Sequence, residues 1–151
     1  MSYNIDNIDR QILSILLKNA RTSYSTIATE VGLKSPSVIE RIKKMEKEGI
    51  IRGYYVDINY QKIGYDITAF IGLIIDDANH EDSFKAKIDS FDDSIVECYE
   101  VSGDFTLIIK VITKNTETLA NLLKKLKKQP GFQETHTIIV FSSVYERKRP
   151  V

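Results

Sequence analysis

Residues 24–48 read YSTIATEVGLKSPSVIERIKKMEKE, and the reading of this stretch decides the first half of the fold. Ser25 can cap a short helix from Thr26 to Val31, with Ile27, Ala28 and Val31 turned inward. Gly32 then stands where a helix closes in the left-handed conformation, and Leu33 can plug the gap between two helices. Ser35-Pro36 restarts the chain, because serine is a preferred N-cap and proline a preferred first helical residue. The spacing predicts a helix from Pro36 to about Glu48 with Val38, Ile42 and Met45 inward, ended by Gly49. Its other face carries Ser37, Arg41, Lys44 and Lys47. Two short helices joined by a tight glycine turn make a helix-turn-helix layout.

Upstream, Ile8, Ile12 and Ile15 with Leu13 and Leu16 follow the spacing of one buried helix face. Asp6 or Asn7 is the candidate cap, and Asp9 lies in the first turn, where the helix dipole favours a carboxylate. The first half is therefore a three-helix unit. A recognition helix enters the major groove by its N-terminal residues, and Lys34, Ser35, Ser37 and Arg41 cluster there with Lys44 one turn on. Read from spacing alone, the alternative is a plain three-helix core with a solvated basic face.

Downstream, ITAFIGLII from Ile67 is rich in β-branched and aromatic residues, as a strand requires. Glu81 to Ser90 reads as a helix, and Ile95 to Ser102 and Phe105 to Ile112 as two strands around the turn Gly103-Asp104. Asn115 or Thr116 can cap a helix through Lys128, which Pro130-Gly131 terminates, and His136 to Tyr145 supplies the last strand. This βαββαβ order is the ferredoxin-like split motif, an antiparallel sheet with both helices on one face. The fold class is therefore α+β. Several strands are apolar on both faces, yet two helices cover only one, so a second copy is expected to pack sheet against sheet.

The chain has 151 residues and no net charge, with 42% hydrophobic and 28% charged residues, as in a folded globular protein. Residues 1–60 hold nine Lys/Arg against seven Asp/Glu, a mild surplus that permits a DNA-binding first half. MSYNIDNIDRQIL lacks a basic-then-apolar run, so no secretory signal is expected. The apolar run Ala69 to Ile75 is too short for a membrane span, so no membrane partner is expected and the cytoplasm is the expected compartment. The single cysteine, Cys98, excludes an internal disulfide and reads as a buried structural thiol.

With both halves placed, the chain resembles the Lrp/AsnC family of leucine-responsive, or feast/famine, transcription regulators. The likeness runs through IDNIDRQILSILLKNARTS and IATEVGLKSPSVIERIKKMEKEGIIRGYYVDIN, and returns at CYEVSGDFTLIIKV and ETHTIIVF. It implies a winged helix-turn-helix DNA-binding domain over 1–52, a hinge ribbon near Arg52 to Asn59 within a linker at 53–65, an effector-binding and oligomerisation domain over 66–145, and a tail at 146–151. Double-stranded DNA is the implied partner, with Lys34, Ser35, Pro36, Ser37, Glu40, Arg41 and Lys44 as the DNA-binding residues. It further implies homodimers that assemble into octamers. An effector, usually an amino acid, would sit at Val101, Ser102, Gly103, Asp104, Phe105 and Thr106. The family pattern carries a second acid where Thr106 stands and a tyrosine where Leu107 stands; this chain departs from it at both.

Two other readings compete. Relatives of this architecture act as haem-precursor decarboxylases, but His80 and His136 lack metal-ligand spacing and no nucleophile or phosphate-loop motif appears. The acids at 76, 77, 81 and 82 read as a solvated loop. No catalytic residue, metal or cofactor is therefore expected. The third reading is an oligomeric sensor that does not bind DNA.

Overall fold

The computed structural model describes residues 3–146, so the expected tail beyond Glu146 lies outside the described residues. The chain divides into two compact units, one running to Asp57 and including Tyr145 and Glu146, the other Ile58–Val144.

In the first unit, α1 (Asn7–Lys18), α2 (Tyr24–Val31) and α3 (Ser35–Lys47) bury Ile12, Ile27, Ala28, Val38, Ile42 and Met45 in one core. Asp6 caps α1 from its side chain, and the Asp9 carboxylate accepts the Asp6 amide in return, a reciprocal capping box. Two helix starts differ from the sequence reading. Ser23, not Ser25, caps α2, because its Oγ accepts the Thr26 N–H at 3.2 Å. Lys34, not Ser35, takes the cap position of α3: its carbonyl accepts the Ser37 and Val38 amides and so begins the helix ladder. Gly32 sits at φ 71°, which lets the Leu33 N–H reach back to the Ala28 carbonyl at 2.9 Å. Beyond α3 the Ile50 and Ile51 amides fold back onto the Met45 carbonyl, and both side chains join the core. The expected hinge ribbon, Arg52 to Asn59, carries no β-strand.

The second unit holds β1 (Ile67–Ile75), α4 (Ala78–Phe91), β2 (Ile95–Glu100), β3 (Leu107–Thr113), α5 (Thr116–Lys127) and β4 (Phe132–Val140). The sheet order is β2-β3-β1-β4 with every neighbour antiparallel, which is the ferredoxin-like arrangement. Ala69, Ile71, Leu73 and Ile75 alternate toward the helices and meet Leu107, Ile109, Val111, Phe84, Leu119, Leu122 and Leu126. Cys98 packs half-buried against this core, and burial pushes its thiol pKa up.

Four elements are displaced from their expected bounds: β2 stops at Glu100 rather than Ser102, β3 starts at Leu107 rather than Phe105, and α4 and β4 shift further. α4 starts at Ala78 because the Asp77 carboxylate accepts the His80 amide, three residues before the expected Glu81. The last strand is Phe132–Val140 rather than His136 to Tyr145. Its register is set by β1, from Ile75 opposite Phe132 to Thr68 opposite Val140; the ladder stops there, and since β1 begins one residue further at Ile67, Val144 and Tyr145 have no β1 residue to pair with, however apolar they are. The sheet face away from the helices keeps apolar residues in the open, with Phe70 36%, Tyr99 52% and Ile138 62% exposed. Among the described residues no helix is long and apolar enough to cross a membrane.

Candidate nucleic-acid interface and effector loop

The residues expected to meet DNA all lie at the start and along one side of α3. Lys34, Pro36, Ser37, Glu40 and Lys44 are exposed, and Ser35 and Arg41 are partly covered. The helix is held by Val38, Ile42 and Met45, spaced so that the opposite side stays outward. Lys43 and Lys47 are also exposed on α3; Lys43 escaped the sequence reading, although its spacing from Pro36 and Glu40 gave the signal.

Arg41 and Lys44 have neighbours that the sequence did not show. Arg41 Nη1 donates to Asp6 Oδ2 at 2.7 Å and to Asp9 Oδ1 at 2.8 Å. Asp9 is fully buried, and its other oxygen accepts the Tyr3 hydroxyl at 2.8 Å and the Asp6 amide at 3.1 Å. Lys44 Nζ stands 4.8 Å from the Tyr3 ring centre. Loss of water and the bond to Asp9 push the Tyr3 phenol up to about 12. The Asp9 amide, then Arg41, hold the Asp6 carboxyl below its ordinary value, while the two carboxylates raise the Arg41 pKa. A cleft of about 460 Å³ opens beside the cluster, lined by Tyr3, Asp6, Ser37, Glu40, Arg41 and Lys44. After α3, the Tyr54 hydroxyl donates to Glu46 Oε1 at 2.8 Å, and desolvation with that bond pushes its pKa up to about 12.

The expected effector residues 101–106 form the loop between β2 and β3. Ser102, Gly103 and Asp104 are exposed, with Gly103 at φ 103°. The loop is pinned at both ends: Val101 N–H bonds the Thr106 carbonyl at 3.3 Å, and Thr106 N–H bonds the Leu73 carbonyl at 2.8 Å. Thr106 Oγ1 further accepts the Ile75 amide at 3.1 Å. Phe105 lies over Gly72 and packs on the His136 ring, centroids 5.3 Å apart. His136 Nε2 is 3.0 Å from Glu134 Oε2, and a cleft of about 430 Å³ lined by Lys127, Phe132, Glu134, Thr135 and His136 adjoins them. The sequence reading missed Gly72 and Glu134 here, because only strand register brings β1 and β4 beside the loop.

His80 and the acids before it are accounted for locally. His80 Nδ1 stands 2.8 Å from Asp76 Oδ1 and 3.3 Å from Asp77 Oδ2, and the Asp76 bond raises its pKa. The three donor atoms lie within 4.8 Å of one another, close enough for a metal ion, but they sit at an exposed helix start whose cap and ion pairs explain them.

Residues 5–52 match the winged helix-turn-helix DNA-binding family, and residues 68–150 match the Lrp/AsnC ligand binding domain. Regulatory protein AsnC of Escherichia coli K12 is 36% identical over 143 residues, 94% of this chain and 93% of its own. AsnC of Haemophilus influenzae is 36% identical, covering 91% of each. The solved E. coli AsnC structure superposes with a TM-score of 0.89 at 35% identity, covering 97% of this chain and 99% of that one. The feast or famine regulatory protein of M. tuberculosis complexed with L-methionine has the same fold, with a TM-score of 0.89 at 24% identity, covering 97% and 99%. Fold and relatives together define a helix-turn-helix transcription regulator with a ligand-binding domain, not an enzyme. The chain belongs to the Lrp/AsnC family.

Proposed function

We propose that this chain is a cytoplasmic, sequence-specific DNA-binding regulator whose grip on DNA is modulated by an amino acid. The observation that carries the DNA reading is α3 itself: anchored by one apolar side, it leaves Lys34, Pro36, Ser37, Glu40 and Lys44 outward at its leading half. Together with Ser35 these are the proposed DNA-binding residues; Arg41, grouped with them in the sequence, is instead held by Asp6 and Asp9. Basic side chains there take phosphates, and the polar ones meet base edges.

The effector is assigned to Val101, Ser102, Gly103, Asp104, Phe105 and Thr106. Exposed backbone at Gly103 suits a carboxylate, and Asp104 suits an ammonium. The M. tuberculosis protein's complex with L-methionine supports an amino acid as the class. The open apolar sheet face around Phe70 and Ile138 suits a second copy of the chain, and such dimers would gather into octamers. In domain terms, 1–52 reads DNA, 53–65 is the hinge, 66–145 senses and assembles, and 146–151 is a tail.

Electrophoretic mobility shift with the DNA upstream of the chain's own gene, at rising salt and with a panel of amino acids, tests the reading. A shift that weakens steeply with salt and moves with one amino acid is expected. A protein that binds no duplex better than a scrambled one, in any amino acid, would overturn it.

A further inference from the structure

We propose that Arg41 is a positioning residue, which fixes the rotation of α3 on α1 through the buried Asp9 carboxylate, and not a ligand of DNA. The inference rests on the reading that α3 lies in the groove, and it divides the labour on that helix. Arg41 gives Nη1 to both Asp6 and Asp9, and the three side chains together carry one net negative charge. A phosphate brought to that spot meets repulsion rather than a free cation. Asp9, in turn, has no contact with water and depends on Arg41, Tyr3 and the Asp6 amide for every compensating bond. The pair is therefore built to persist.

Its leverage comes from geometry. Val38, Ile42 and Met45 make an apolar seam that lets a helix roll slightly at little cost, since such contacts have no direction. The Arg41–Asp9 bond joins the middle of α3 to the first turn of α1, 32 residues earlier, and directional bonds resist rolling. With side-chain tips about 5–6 Å from the helix axis, a roll of about 20° moves them by about 2 Å. Hydrogen bonds to base edges do not survive that displacement.

The test compares a duplex selected by this protein from random sequence with a scrambled duplex of equal length, across salt, for the full chain and its Arg41→Met, Asp9→Asn and double variants. Wild-type preference for the selected duplex establishes the DNA reading independently of Arg41. Under the proposal, Arg41→Met lowers the preference about tenfold, spread over all base positions, and leaves the salt slope unchanged. Asp9→Asn does the same although it keeps the Arg41 cation, left with Asp6 as its one carboxylate partner, and the double variant adds nothing. Arg41→Lys restores part of the preference. If instead the Arg41→Met slope falls by about one, or discrimination disappears at a single base pair, Arg41 touches DNA and the proposal is wrong. Should Arg41→Met not fold, Asp9→Asn decides: unchanged or tighter selective binding overturns the proposal, and flattened selectivity supports it.

Discussion

The Thr106 hydroxyl accepts the amide N–H of Ile75 across the end of the sheet, at 3.1 Å. The family pattern places an acid at this position; here the side chain is turned into the fold and tethers the loop between β2 and β3 to β1. Thr106→Val is expected to leave that amide without its acceptor, cost about 1–3 kcal/mol and loosen residues 101–106. Thr106→Ser should keep the tether. Urea unfolding of the two variants, with hydrogen exchange over the loop, checks this; equal stability of valine and wild type would refute the tether.

Gly72 is forbidden a side chain by Phe105. A Cβ on residue 72 would stand 2.7 Å from the ring, and the ring has strand backbone beneath it. Gly72→Ala should therefore cost about 1–3 kcal/mol through overpacking and displace Phe105. Combining it with Phe105→Ala should recover part of the loss. Thermal melts of the single and double variants give the answer, and strictly additive losses would count against the contact.

The open sheet face gives a prediction about assembly. Ile138 is 62% exposed and lies opposite Phe70 in the ladder. Ile138→Glu should leave the unit folded, since the helices pack on the other face, yet separate the proposed dimer. Sedimentation velocity reads the mass directly and circular dichroism the fold; an unchanged oligomer would exclude this face as the interface.

Alkali should expose the Tyr3 and Tyr54 environments. An unfolded tyrosine ionises near 10, whereas both phenols are pushed up to about 12 in the folded chain. Their contribution is present in full below pH 10 and is lost as pH rises from 10 to about 12, because the unfolded state gives up its protons first. Absorbance near 295 nm should show a late-titrating fraction, reduced by Tyr3→Phe and again by Tyr54→Phe. A single transition near pH 10 in the folded protein would contradict the bonds of Tyr3 to Asp9 and of Tyr54 to Glu46.

How far the sequence carried this picture depended on what each signal measures. Val38, Ile42 and Met45 announced the buried side of α3 because helical periodicity is a local property, and all three are buried. Between Ser23 and Ser25 sequence had no means to choose: both carry hydroxyls, and the choice falls to which one has an open amide three residues on, Thr26 for Ser23. The end of β4 misled for the opposite reason. Phe141, Val144 and Tyr145 are strand-like in composition, but a strand needs a neighbour: the ladder with β1 ends at Val140, and β1 itself has one residue left, Ile67. Arg41 shows the same limit at the site. Its position on the outward side of a basic helix suggested a cation facing DNA, and only the fold brings Asp6 and Asp9 beside it from a segment more than 30 residues earlier.

Phe105 also has a dynamic meaning. Resting on Gly72 of β1 and against His136 of β4, it makes the loop and the two strands bearing Phe70 and Ile138 a single lever. With that face paired and the loop occupied as proposed, any bias the small molecule exerts on the joining of two chains is returned in equal measure, as thermodynamic reciprocity demands. A switch wired this way measures its own abundance alongside the nutrient: the dose at which it responds should drift as the cell makes more of it.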